Sequence, residues 1–164
     1  MKKTIISILI TLLLSSCATS GVMTFTTPEG PRLFIRPVEM KGEYDVSIDI
    51  NIPCTDFNVS GDSIVNYSVF FPAGSVKEIR TAVLEFSVSD DLMTVENVEM
   101  LFIESAGKKS REARFTSTLD EESMMNIVNN SDSLSASLII GTNRIPLSTS
   151  KLKAALNELS LNLL

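Results

Sequence analysis

The chain has 164 residues, 44% of them hydrophobic, which is the size and composition of one ordinary globular domain with a packed core. Its 20 acidic against 14 basic residues give a net charge of −6, and tryptophan is absent, so nothing favours nucleic acid or anionic headgroups as partners. Histidine is also absent, which excludes Ser-His-Asp and Cys-His catalytic systems.

At the N-terminus, Lys2 and Lys3 precede an uncharged apolar run from Thr4 to Leu14. A helix needs about 20 apolar residues to cross a bilayer, so this run is too short for a span but has the length of a secretory h-region. A buried core helix is the competing reading. Leading lysines and trailing small residues are instead the order of an export signal. The run closes on Leu14-Ser15-Ser16-Cys17, which resembles the lipobox of bacterial lipoproteins: an aliphatic residue, two small ones, then cysteine. The resemblance covers residues 1–17. It implies that residues 1–16 are a signal peptide, that the Cys17 thiol receives a diacylglycerol, and that Cys17 becomes the acylated first residue of the mature chain. Serine could not replace that thiol, which must become a thioether. Two or more acyl chains anchor stably where one binds marginally, at about 0.8 kcal/mol per buried CH₂. Ala18 stands where an aspartate is the usual inner-membrane retention signal of such lipoproteins in enteric-type bacteria, and its absence favours the outer membrane, with the periplasmic or surface side open. Losing Lys2 and Lys3 makes the chain more acidic still, and the acyl chains must supply the membrane affinity.

Residues 17–21 are expected to form a lipidated tether, and 22–164 a single β-rich domain. Ala18-Thr19-Ser20-Gly21 reaches roughly 14 Å at most, which holds the domain close to the membrane. In "EYDVSIDINI", Tyr44, Val46, Ile48, Ile50 and Ile52 alternate with Asp45, Ser47, Asp49 and Asn51, a strand with one core face and one wet face. Val65, Tyr67, Val69 and Phe71 alternate likewise before the turn Pro72-Ala73-Gly74-Ser75. Leu84, Phe86 and Val88 follow, and a turn at Asp90-Asp91 leads to Val98, Met100 and Phe102. With Ala106-Gly107-Lys108-Lys109, then Ala113 and Phe115, that last segment has the pattern of a hairpin.

The period then changes. Thr118 and Glu121 have capping-box spacing, and Met124, Ile127 and Val128 share one stripe of a helix ending near Asn129-Asn130. Alternation resumes at Leu134, Ala136, Leu138 and Ile140, and Gly141-Thr142-Asn143 turns into Arg144-Ile145-Pro146-Leu147. Pro146 cannot donate to a ladder, which places its strand at a sheet edge. Ser148 or Ser150 caps a terminal helix whose Leu152, Ala155, Leu156 and Leu159 face one side and cover the sheet. The fold class is therefore mainly β (α+β), a single antiparallel β-sheet or sandwich with two short helices, the second C-terminal.

Candidate chemistry is sparse. Gly61-Asp62-Ser63-Ile64 looks like the nucleophile block of the GDS-type esterases, a family that also needs a late histidine. Ser148-Thr149-Ser150-Lys151 fits Ser-x-x-Lys but has no Lys-Thr-Gly partner, and helix capping accounts for it. Asp45, Asp49 and Asn51 offer oxygens for calcium without the Asp-x-Asp-x-Asp-Gly loop, and a solvated strand face accounts for them. Met124 and Met125 diverge on a helix and read as core packing rather than a soft-metal site. No catalytic residue, metal or cofactor is expected. With Cys17 lipidated, Cys54 has no intramolecular partner. It is a buried small hydrophobe beside Pro53, or it links two chains through an intermolecular disulfide. These features point to a lipid-anchored, non-catalytic module of the bacterial envelope that engages another envelope protein. The alternative is a periplasmic carrier of a small apolar or lipid-like ligand in a β-lined cavity.

Overall fold

Alternating β-branched and aromatic residues make strands that must bury one face, and the described residues supply eleven of them. A computed structural model describes residues 21–56 and 58–163. In chain order the elements are β1 (Val22–Thr27), β2 (Gly30–Met40), β3 (Asp45–Thr55), β4 (Asn58–Val59), β5 (Ser63–Pro72), α1 (Val76–Ile79), β6 (Val83–Val88), β7 (Asp91–Thr94), β8 (Glu96–Ser105), β9 (Ser110–Leu119), α2 (Glu121–Asn129), β10 (Ser135–Ile140), β11 (Asn143–Leu147) and α3 (Ser150–Leu163). They form two antiparallel sheets. One has the order β1-β2-β3-β5-β9-β8 with β4 attached to β3, and the other has the order β11-β10-β6-β7.

The predicted alternation sets the register. Ile50 lies opposite Val65, Ile48 opposite Tyr67, and Tyr67 opposite Phe115, so three strands turn one apolar face inward together. Leu84 and Phe86 of β6 and Leu138 of β10 complete the same buried cluster from the smaller sheet. Each such side chain contributes about 1.5–3 kcal/mol by leaving water. Tyr67 also ties the two sheets, since its hydroxyl donates to the Ala82 carbonyl just before β6 at 2.8 Å while its ring stacks on Phe115 with centroids 5.0 Å apart.

The helices follow their apolar stripes. Met124, Ile127 and Val128 of α2 are buried, as are Leu152, Ala155, Leu156 and Leu159 of α3, which lies against β2 and touches β1. Pro146 sits in β11, an edge strand, as its missing donor requires.

Four local expectations are corrected. The cap of α2 is Asp120, whose carboxylate accepts from Ser123 N–H at 2.9 Å, while Thr118 belongs to β9, so the capping-box spacing was coincidental. The residue preceding α3 is Thr149, between the two serines expected there, and its hydroxyl donates to the Leu134 carbonyl instead of capping. The segment after Phe71 makes a single 3₁₀ turn and then the four-residue α1 rather than a simple turn. The turn before β7 is Ser89-Asp90, both at positive φ, which is the signature of a tight hairpin loop, and Asp91 already pairs with Val88.

Gly21 is not a free tether residue. Its N–H donates to Glu158 Oε2 of α3 at 2.9 Å, and its carbonyl accepts from Arg36 N–H at 2.9 Å. The expected signal peptide, Cys17 and residues 18–20 lie outside the described residues. No helix among the described residues is long and apolar enough to cross a membrane.

Candidate interaction surface

The larger sheet ends on β8, whose sequence Glu-Asn-Val-Glu-Met-Leu-Phe-Ile-Glu-Ser would bury every second residue in an ideal ladder. The register against β9 breaks twice. Glu96 pairs with Thr118 but Glu99 with Thr116, and Met100 pairs with Phe115 but Phe102 with Arg114. Asn97 and Val98 thus share the place opposite Ser117, Leu101 is an extra residue with no partner, and Asn97 takes a positive φ of 50° to accommodate the first bulge. Met100 and Ile103 stay on the core side. Val98, Leu101 and Phe102 are turned to solvent, at 37%, 50% and 42% exposure. The expected hairpin is present, but its alternation does not place Val98 and Phe102 in the core, because each bulge shifts the period by one.

Beside this apolar row lies a polar cluster on the outer face of the sheet. Arg114, directly opposite Phe102, pairs through Nη2 with Asp49 Oδ2 and donates through Nη1 to Ser68 Oγ at 3.2 Å. Asn66 Nδ2 donates to Asp49 Oδ1 at 2.8 Å. Asp49 is only 4% exposed, which corrects the expectation of a wholly wet face on β3. A carboxylate that far from water requires a cation and donors, and β5 and β9 supply them. The three residues considered for calcium each have a side-chain oxygen engaged by a basic group. Asp45 pairs with Lys41 at 2.7 Å, Asp49 with Arg114, and Asn51 Oδ1 accepts a long 3.4 Å bond from Arg32. The bond to Asp45 also raises the Lys41 pKa.

The strand itself is acidic. β8 itself carries Glu96, Glu99 and Glu104 and no basic residue, and Glu104 faces Glu112 directly across the ladder. Like charges opposed on a strand pair cost stability, so this edge favours cationic groups on whatever covers it.

The other sequence candidates are placed elsewhere. Ser63 is fully buried at the start of β5, its hydroxyl without a hydrogen-bond partner, while the neighbouring Gly61 N–H donates to Glu121 Oε2 at 2.6 Å. Ser148 N–H donates to the Lys41 carbonyl, and Lys151 reaches Glu39 Oε2 at 3.4 Å. Cys54 is a buried free thiol opposite Val59, and burial pushes its pKa up, away from the reactive thiolate. Met124 is buried and Met125 packs partly against the core. Among the described residues no group of three or more Cys, Asp or Glu side chains is placed to hold a metal. Two surface clefts are notable. One of about 410 Å³ between α2 and α3 is lined largely by Asn58, Asn129, Ser131, Asp132 and Asn157, and one of about 630 Å³ by the β10–β11 turn includes Glu43, Tyr44 and Arg144. Neither is the apolar, β-lined chamber that a lipid-like ligand needs.

The solvent-facing apolar row of β8 was missed by sequence reasoning. Its only signal was the adjacency of Met100, Leu101, Phe102 and Ile103, four apolar residues in a row that a two-faced strand at a sheet edge cannot bury. Compared with known protein families, curated proteins and solved structures, the chain matches none.

Proposed function

We propose that this protein is a non-catalytic docking module of the bacterial envelope, anchored by acyl chains on Cys17 and engaging a neighbouring envelope protein through β8. The observation that carries the reading is the solvent exposure of Val98, Leu101 and Phe102 on one bulged edge strand, stiffened from behind by the Arg114–Asp49 pair. Exposed aromatic and aliphatic side chains on a rigid strand are the usual anchors of a protein interface. The two bulges obstruct the addition of a further strand, so the contact is made by side chains. The glutamates of β8 select a partner with an apolar patch rimmed by lysine or arginine.

The anchor serves this role by raising effective concentration. Two proteins tethered to one membrane meet at roughly millimolar effective concentration, so a small contact of modest intrinsic affinity suffices. Ala18, standing where a retention aspartate would be, supports the outer membrane as its location.

Two experiments test the reading. Metabolic labelling with a palmitate analogue should mark the wild-type chain and not Cys17→Ser, and label retained in that variant would remove the anchor. Crosslinking in cells should then capture a defined envelope protein with the wild-type chain. That product should disappear in Leu101→Ser/Phe102→Ser, a change that leaves folding intact because both side chains already face water. An unchanged crosslink in that double variant would move the interface off β8, and a small apolar ligand co-purifying with the lipidated protein would replace docking with carriage.

A further inference from the structure

Every sheet edge carries unpaired backbone groups, and proteins blunt such edges to prevent unwanted pairing. Among the described residues the two strand orders end on four strands, and three of these are blunted. β8 has two bulges and three glutamates, β11 has Arg144 and Pro146, and β7 is four residues long and begins with Asp91. β1 has none of these devices. It reads Val-Met-Thr-Phe-Thr-Thr, six β-prone residues without charge or proline, in unbroken register with β2 from Val22 opposite Ile35 to Thr27 opposite Gly30.

Its backbone is also oriented for pairing. Arg36 N–H donates to the Gly21 carbonyl, so the alternation of an antiparallel ladder turns the backbone groups of Met23 and Phe25 toward β2 and those of Thr24 and Thr26 off the sheet. Met23, Thr24, Phe25 and Thr26 are all exposed, with Met23 and Phe25 on the outer face beside Phe34 and Arg32.

We propose that β1 is the pairing edge of a symmetric homodimer, in which two copies of this chain join their larger sheets antiparallel about a two-fold axis at Phe25. In that register Thr24 exchanges both backbone bonds with Thr26 of the second copy, and Thr26 with its Thr24. Phe25 then lies opposite the same residue of the second copy as a close, non-hydrogen-bonded pair, where aromatic side chains meet well. Charge selects a second copy as the occupant. Two β1 strands meet without opposing any like charges, whereas two β8 strands would bring two sets of three glutamates together. A six-residue edge buries less than about 1,000 Å², so the dimer is a reversible one.

Sedimentation equilibrium of the full chain in detergent should show a monomer–dimer equilibrium. Thr24→Pro should weaken association about tenfold or more while leaving the far-UV spectrum, and the unfolding midpoint at concentrations where both proteins are monomers, unchanged, because the Thr24 N–H serves no bond within the sheet. Phe25→Lys should do the same by placing like charges on the axis, and it keeps the test decisive if proline disturbs the strand. In a Cys54→Ala background, Phe25→Cys should trap a disulfide-linked dimer under mild oxidation far more readily than Glu99→Cys on β8. A monomer at all concentrations, a dimer indifferent to both Thr24→Pro and Phe25→Lys, or equal trapping by the two cysteines would overturn the proposal.

Discussion

Arg114 of β9 reaches diagonally across β5 to pair with Asp49 of β3, and the strand between them contributes Ser68 to the guanidinium and Asn66 to the carboxylate. The four side chains lock the outer face of the sheet behind β8. Arg114→Ala leaves the Asp49 carboxylate almost without water and with Asn66 as its remaining side-chain donor, and it should cost about 2–4 kcal/mol of stability. Asp49→Asn, which still accepts a hydrogen bond and leaves the cation partly exposed, should cost about 1 kcal/mol. Urea unfolding of the two variants checks the order. Equal and negligible effects would mean that the pair is an ordinary surface contact.

Tyr67 is the other buried polar anchor, and burial pushes its phenol above the ordinary value. A group whose pKa is raised on folding stabilises fully below its unfolded pKa and loses that contribution as pH rises past it, so stability should fall above about pH 10. A spectroscopic titration should therefore show Tyr67 ionising only as the sheets come apart. Tyr67→Phe should remove that step and cost about 1 kcal/mol through the lost bond to Ala82.

Asp120 caps α2, and the Ser123 hydroxyl and backbone N–H hold its carboxyl below the usual carboxylate range. The sign is opposite to that of Tyr67. Its contribution is present above the unfolded carboxylate pKa and is lost as pH falls through the lower, folded value. Asp120→Ala should destabilise by about 1 kcal/mol at neutral pH, and the gap to wild type should close in acid below about pH 4. Denaturation midpoints measured across that range would show it, and a gap constant with pH would mean that the cap acts without its charge.

Gly42 marks where β11 arrives beside the β2–β3 loop. A methyl group there would stand 2.9 Å from both the Pro146 carbonyl and Leu147 Cδ2, and Ser148 N–H donates to the adjacent Lys41 carbonyl at 2.7 Å. Because the backbone carbonyl cannot swing away as a side chain can, Gly42→Ala should cost about 1–3 kcal/mol. Thermal unfolding checks this, and an unaltered midpoint would mean that the edge strand moves freely.

The sequence by itself determined the strands whose two faces differ. Tyr67, Ile48 and Phe115 fall on one inward face because side chains alternate with period two whatever the partner strand, and the stripe of α3 follows from the period of the helix in the same way. It also removed histidine-dependent chemistry, since composition alone decides that. Tertiary structure decided what depends on neighbours. Asp49 reads as a wet residue until β9 brings Arg114 against it, across a separation of 65 residues that no local pattern encodes. The exposure of Val98, Leu101 and Phe102 depends on two bulges and, among the described residues, on β8 having no strand beyond it, and the place of β1 at the end of its sheet depends on strand order. Local periodicity fixes which face of a strand is apolar, whereas strand order and register fix whether that face, or that edge, meets another element or water.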